Sequence, residues 1–169
     1  MPLMRFIIDG YNLMHAMGLL NGPVGPHGLA KARAALFGRL SAVHNDGDEV
    51  TLVLDARGAL AGADEEETHG SVQVCYTTRE EADDFIERRI AHDSAPARLV
   101  VVSNDRRLRD AARRRACESW HCGDYVDWLD RTGRERARTK PAESDKPASM
   151  SDNEKKTWQD IFGEIEREP

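Results

Sequence analysis

Three short apolar runs in this chain each stop at an aspartate. Arg5–Ile8 runs into Asp9-Gly10, Val50–Leu54 into Asp55, and Leu99–Ser103 into Asn104-Asp105. Runs of that length, bounded by turn residues, read as buried strands. Between and after them, apolar residues recur every three or four positions. Leu29, Ala32, Leu36, Leu40 and Val43 mark one helix, and Ala82, Phe85, Ile86 and Ile90 mark a second. Leu108, Ala111, Ala112 and Ala116 mark a third, and a short helical piece is expected at Tyr11–Ala16. Ser71–Tyr76 adds another strand. Glu118–Cys122 adds a short last one, with a helix near Asp124–Asp130. Strands that alternate with helices in this way predict an α/β domain, its mostly parallel sheet lying between helix layers.

The remaining segments read as connections. Gly18–Gly28 and Arg57–Gly70 predict loops, the second rich in Gly, Ala and acid, and Thr78-x-x-Glu81 has the pattern of a capping box opening the second helix. Residues 1–132 form the expected domain, and Gly133–Met150, with Lys140-Pro141 and Lys146-Pro147, reads as a polar linker. In 151–169, Ser151-x-x-Glu154 precedes Trp158, Ile161, Phe162 and Ile165. That pattern predicts an amphipathic C-terminal helix, docked on its own domain or on a partner. Charged residues make up 32% of the chain, and no run approaches the ~18 apolar residues of a membrane span. Met1–Arg5 is too short and too weakly basic for a secretory leader, and three cysteines do not make a disulfide framework. A reducing, cytoplasmic setting is the expectation.

In an open parallel sheet, ligands bind beyond the carboxyl ends of the strands. Asp9, Asp55 and Asp105 stand at that edge, and Asp83 and Asp84 begin a helix that leaves it. Carboxylates gathered in one cleft repel each other unless they take up protons or hold a cation. An all-oxygen site suits Mg²⁺ or Mn²⁺, which can assist phosphodiester hydrolysis. Each residue also has a plain structural reading. Asp9 and Asp105 can cap the helices that follow them, Asp55 can belong to a turn, and Asp84 and Glu65–Glu67 can be solvated. Glu81 can be the capping-box partner of Thr78.

Ile7-Ile8-Asp9-Gly10-Tyr11-Asn12-Leu13 resembles the signature of the NYN domain, a branch of the PIN-like nuclease superfamily. Val53-Leu54-Asp55-Ala56, the segment Thr77–Glu87 with its Ala82-Asp83-Asp84-Phe85-Ile86-Glu87, and Val101-Val102-Ser103-Asn104-Asp105 resemble its bacterial YacP-like members, in matching order over about residues 4–130. The resemblance implies a three-layer α/β/α PIN-like fold, a divalent metal held by acidic residues, and endoribonuclease activity. It assigns the metal to Asp9, Asp83 and Asp105, with Asp55 and Asp124 in support. It gives Asn12 a role in binding substrate or orienting Asp9, and Ser103 one in bonding a carboxylate or a phosphate.

A net charge of −6 argues, alone, against a nucleic-acid binder, yet most of the acid excess lies in 141–169. Within the body, Arg106, Arg107, Arg109, Arg113, Arg114 and Arg115 crowd one helix. Arginine binds phosphate through paired donors, so Arg106, Arg107, Arg109 and Arg113 are candidate RNA contacts. Tyr11 and Trp120 are candidates for base stacking or for packing, and His15 can reach the acidic cleft. Cys117, His121 and Cys122 lack the spacing of a structural zinc site. The leading expectation is a Mg²⁺- or Mn²⁺-dependent endoribonuclease acting on RNA, free or in a ribonucleoprotein such as a ribosome. The alternatives are a non-catalytic RNA or ribonucleoprotein binding module and a small-molecule phosphohydrolase.

Overall fold

A computed structural model describes residues 4–21, 25–45, 47–56 and 65–139. The expected linker beyond residue 139, the C-terminal helix and most of the 57–70 loop lie outside these residues. The strands are β1 (Arg5–Asp9), β2 (Glu49–Asp55), β3 (Glu65–His69), β4 (Val72–Thr77), β5 (Leu99–Val102) and β6 (Glu118–Trp120). The helices are α1 (Gly10–Ala16), α2 (Pro26–Val43), α3 (Ala82–His92), α4 (Arg106–Arg114) and α5 (Cys122–Thr139). One sheet runs in the order β3-β4-β2-β1-β5-β6. It is parallel except where β3 pairs antiparallel with β4.

Strand alternation sends neighbouring side chains to opposite faces. Phe6, Ile8, Leu52, Leu54, Val74, Tyr76, Val100 and Val102 face α1, α2 and α5 and join Leu13, Leu36, Leu40, Tyr125 and Leu129 in one core. Ile7, Val53, Cys75 and Val101 face the other way and pack against Phe85, Ile86 and Ile90 of α3 and Leu108 and Ala112 of α4. These two cores make the three-layer α/β/α sandwich of the PIN-like fold.

Three expectations are corrected. Glu65–Glu67 is not loop but most of β3, joined to β4 through Gly70 at φ +61°. Its acids sit on a sheet edge, where Gln73 Nε2 donates to Glu66 at 2.9 Å and the Tyr76 hydroxyl to Glu67 at 3.3 Å. An edge strand tolerates such charge because half of it faces water. The Thr78–Glu81 capping box does not form: α3 starts at Ala82, and Glu81 occupies its N-cap position without a side-chain cap bond. Finally, α5 continues through Gly133 to Thr139, so the first residues of the expected linker are helical.

Candidate active site at the carboxyl edge of the sheet

Two of the chain's crossovers diverge at β1. β2 and β4 lie on one side of it, and β5 and β6 on the other. Such a switch point opens a crevice at the strand ends. Register places Asp9 at the level of Val53 on β2, and the next residue after Ile8↔Val102 on the β5 side is Ser103. Asp55 and Thr77 pair two residues further out. By alternation Asp9 follows Ile7, Asp55 follows Val53, Thr77 follows Cys75 and Ser103 follows Val101. All four therefore project on the α3–α4 face, where α3 delivers Asp83 in its first turn.

Asp9 is buried, at 5% exposure. It caps α1, with Oδ1 accepting from the Asn12 amide at 3.3 Å. Its Oδ2 accepts from the Asn12 side-chain amide and, at 3.2 Å, from the Ser103 hydroxyl. Ser103 in turn accepts from the Asp105 amide at 3.0 Å and from Asn12 Nδ2 at 3.4 Å. Asp105 caps α4, accepting from the Arg107 amide at 2.7 Å. Asp9 and Asp105 therefore both cap helices, and a cap at the sheet edge does not compete with a role in a site there. Gly10 lets α1 start this close to the sheet: a Cβ there would stand 2.8 Å from the Val53 carbonyl and run into Leu54.

Asp83 links the group electrostatically. Burial, the charges of Asp9 and Asp105, and a hydrogen bond with Asp105 push its carboxyl up to about 6, against the pull of Arg107. Asp9, Asp55 and Asp83 line a cleft of about 240 Å³ with Glu81, Asn12, Tyr11 and His15. Asp124 is exposed in the first turn of α5 and does not line this cleft. Ser103 is fully buried behind Asp9, so it holds that carboxylate rather than reaching RNA. Asn104 accepts from the Cys122 amide at 2.9 Å and anchors α5 to the same edge.

The donor set fits a hard divalent cation. It is all oxygen, and the Thr77 hydroxyl beside Asp55 is buried with no hydrogen-bond partner among the described residues. Among those residues, no three acidic, His or Cys side chains close on one point. Mg²⁺ does not ask for such a cage, because it keeps several waters and takes one or two carboxylates.

The arginines of α4 are engaged with nearby acids. Arg107 bridges to Asp84 and Glu87, each at 2.6 Å. Arg113 and Arg106 pair with Asp110 at 2.9 and 3.6 Å, and Arg109 meets His121. These are exposed, solvent-screened surface pairs, so a phosphate can replace the carboxylate at little cost. Trp120 packs edge-on to Phe6 and Trp128 and donates to Glu118 at 2.7 Å, which leaves it a packing residue.

Two functional neighbours escaped sequence reasoning. Glu81 lines the cleft instead of closing a capping box, and Thr77 shares the Asp55 row. The strand alternation that places Thr77 was present in Cys75-Tyr76-Thr77, but pairing with Asp55 needs the register.

Comparison with known proteins agrees with this geometry. A family model for the YacP-like NYN domain matches residues 6–166. The structure of Rae1 (YacP) from Bacillus subtilis superposes with a TM-score of 0.63 at 20% identity, covering 99% of this chain and 94% of that one. A tryptophan-to-leucine mutant of the same Bacillus subtilis protein gives 0.64 at 21% identity, with 80% of each chain covered. No curated protein matches. The chain belongs to the YacP-like NYN domain family, a nuclease-type family.

Proposed function

We propose that this protein is a divalent-metal-dependent endoribonuclease whose centre is Asp9, Asp83 and Asp105. The observation that carries the reading is the placement of these three carboxylates along the carboxyl edge of the sheet by its switch point, Asp9 ending β1, Asp83 in the first turn of α3 and Asp105 capping α4 after β5. Asp9 and Asp105 would hold Mg²⁺ or Mn²⁺, with Asp83 completing the set and Asp55 supporting it from the neighbouring strand. A cation bound there supplies Lewis acidity to the phosphodiester and a more acidic water.

The chain's own groups do the rest. Asn12 and Ser103 fix the Asp9 carboxylate from two sides, so its oxygens need no reorganisation when substrate arrives. Asp83, poised near 6, can carry a proton at its carboxyl or release it when a cation enters. Arg107, beside Asp83, can exchange its acidic partners for an RNA phosphate, and Arg106, Arg109 and Arg113 extend that track along α4. RNA is the partner, bare or within a ribonucleoprotein.

The test is cleavage of a mixed single-stranded and structured RNA pool by the full chain in Mg²⁺, in Mn²⁺ and in EDTA, alongside Asp105→Asn. Cleavage is expected with metal, is absent in EDTA, and falls at least 100-fold (~2.7 kcal/mol of transition-state stabilisation) in the variant. Equal cleavage in EDTA would overturn the metal-dependent reading.

A further inference from the structure

Most rings in the described structure have a partner. Phe6, His44, Trp120, Tyr125 and Trp128 pack on one another. Phe37 stacks on His69, while Phe85 and Tyr76 lie under arginines. His92 bonds the Arg88 carbonyl, and His121 meets Arg109. Two rings at the cleft stand out. Among the described residues, the side chains of Tyr11 and His15 have no hydrogen bond, ion pair or ring contact. They are four residues apart on α1, so they share one helix face, and both line the acidic cleft. Tyr11 is half-buried and rests its inner edge on the core, whereas His15 is exposed.

We propose that Tyr11 and His15 form a stacking wall that receives one unpaired nucleobase next to the scissile phosphate. This rests on the nuclease reading above, since it places the phosphate at Asp9 and Asp83. Three points support it. Stacking of a base on an aromatic face adds a contact that does not depend on the charge of the acidic cleft floor. The cleft volume of about 240 Å³ is on the scale of one nucleotide unit rather than a helix. An A-form duplex keeps its base faces stacked inside and has none to offer a side wall, whereas a loop or free strand does. A packed protein segment would also cover two rings, but it would have to displace substrate from Asp9 and Asp83 to do so.

The test uses the full chain and a short oligoribonucleotide carrying one 2-aminopurine, as a single strand and annealed to its complement. Binding of the single strand by wild type is expected to quench the fluorescent base, with little quenching of the duplex. Tyr11→Ala and His15→Ala are each expected to weaken binding about tenfold, the loss of a modest base stack. Tyr11→Phe and His15→Phe keep a ring and should restore it, which separates stacking from any loss of a hydroxyl or an imidazole proton. His15 is exposed, so its variants report even if Tyr11→Ala does not fold. Absence of quenching by wild type, or unchanged affinity in His15→Ala, would overturn the stacking wall. Metal-dependent cutting of RNA that persists beside such a result would leave the nuclease reading standing. Loss of all cutting in metal would remove both.

Discussion

Asp83 is the residue at which the cluster's electrostatic cost is concentrated. Its carboxyl is raised to about 6 because its charged form meets partial burial, Asp9 and Asp105. A raised carboxyl binds its proton more tightly in the folded than in the unfolded chain. Its contribution to stability is therefore complete below about pH 4 and is lost as the pH rises through about 6. In metal-free protein, Asp83→Asn should accordingly be more stable than wild type at pH 7, by about 1 kcal/mol once solvent screening of this half-exposed group is allowed for. Below about pH 4 the two should converge. Thermal melts across that range in EDTA check the sign, and a wild type at least as stable as the variant at pH 7 would show that Asp83 is not strained by its neighbours. The residues that orient Asp9 were legible as a pattern in Asp9-Gly10-Tyr11-Asn12. The assignment of Ser103 to a buried position was not, because burial depends on how α4 and α5 close over the strand end.

At the scale of elements, α4 shows how local chemistry sets a boundary. Its C-terminus closes as a Schellman motif, with the Cys117 amide on the Ala112 carbonyl at 2.9 Å and the Ala116 amide on that of Arg113 at 3.0 Å. The motif puts Ala116 at φ +56°, the left-handed region where a Cβ is unfavourable. Ala116→Gly should therefore stabilise the protein by about 0.5–1 kcal/mol, read as a higher denaturant midpoint at unchanged slope. The helices that the sequence declared by an apolar stripe, α2, α3 and α4, form because each stripe finds a sheet face, although α3 opens at Ala82 without the Thr78 cap and α4 ends before Ala116. What the sequence hid has physical causes as well. Glu66 and Glu67 look like solvated loop because their partners, Gln73 and Tyr76, come only with the β4 pairing. The Thr78 pattern suits a cap, but the sheet's edge instead needs an extended Glu81 to bring Asp83 over the cleft. The length of α5 rests on its packing through Tyr125 and Leu129, which polar residues 133–139 do not announce.

For the whole molecule, the two helix layers have opposite responses to acid. On the α5 side, His44 lies buried among Phe6, Tyr125 and Trp128, and burial lowers its pKa below the usual value of 6.5. Asp48 can only accept, so Nδ1 carries the proton toward it at 3.2 Å, and Nε2 accepts from the Tyr125 hydroxyl at 2.6 Å. A histidine held neutral in the fold gives stability above pH 6.5 that is lost as the pH falls below it, because the unfolded chain takes the proton first. His44→Gln should be less stable at pH 7 and should lose less than wild type between pH 7 and pH 5. This opposes the gain from protonating Asp83, so the acid limb belongs to the core and the neutral limb to the site. The core on the α5 side holds β1 rigid, and β1 presents Asp9 at the point where the sheet's order reverses. The measurement that tests this most directly is RNA cleavage by wild type and Asp9→Asn, side by side in Mg²⁺ and Mn²⁺, with thermal melts of both proteins. Asn can still cap α1, so the variant is expected to melt within a few degrees of wild type while its cleavage is lost. A folded Asp9→Asn protein that cuts RNA at the wild-type rate would contradict the site placed at this aspartate.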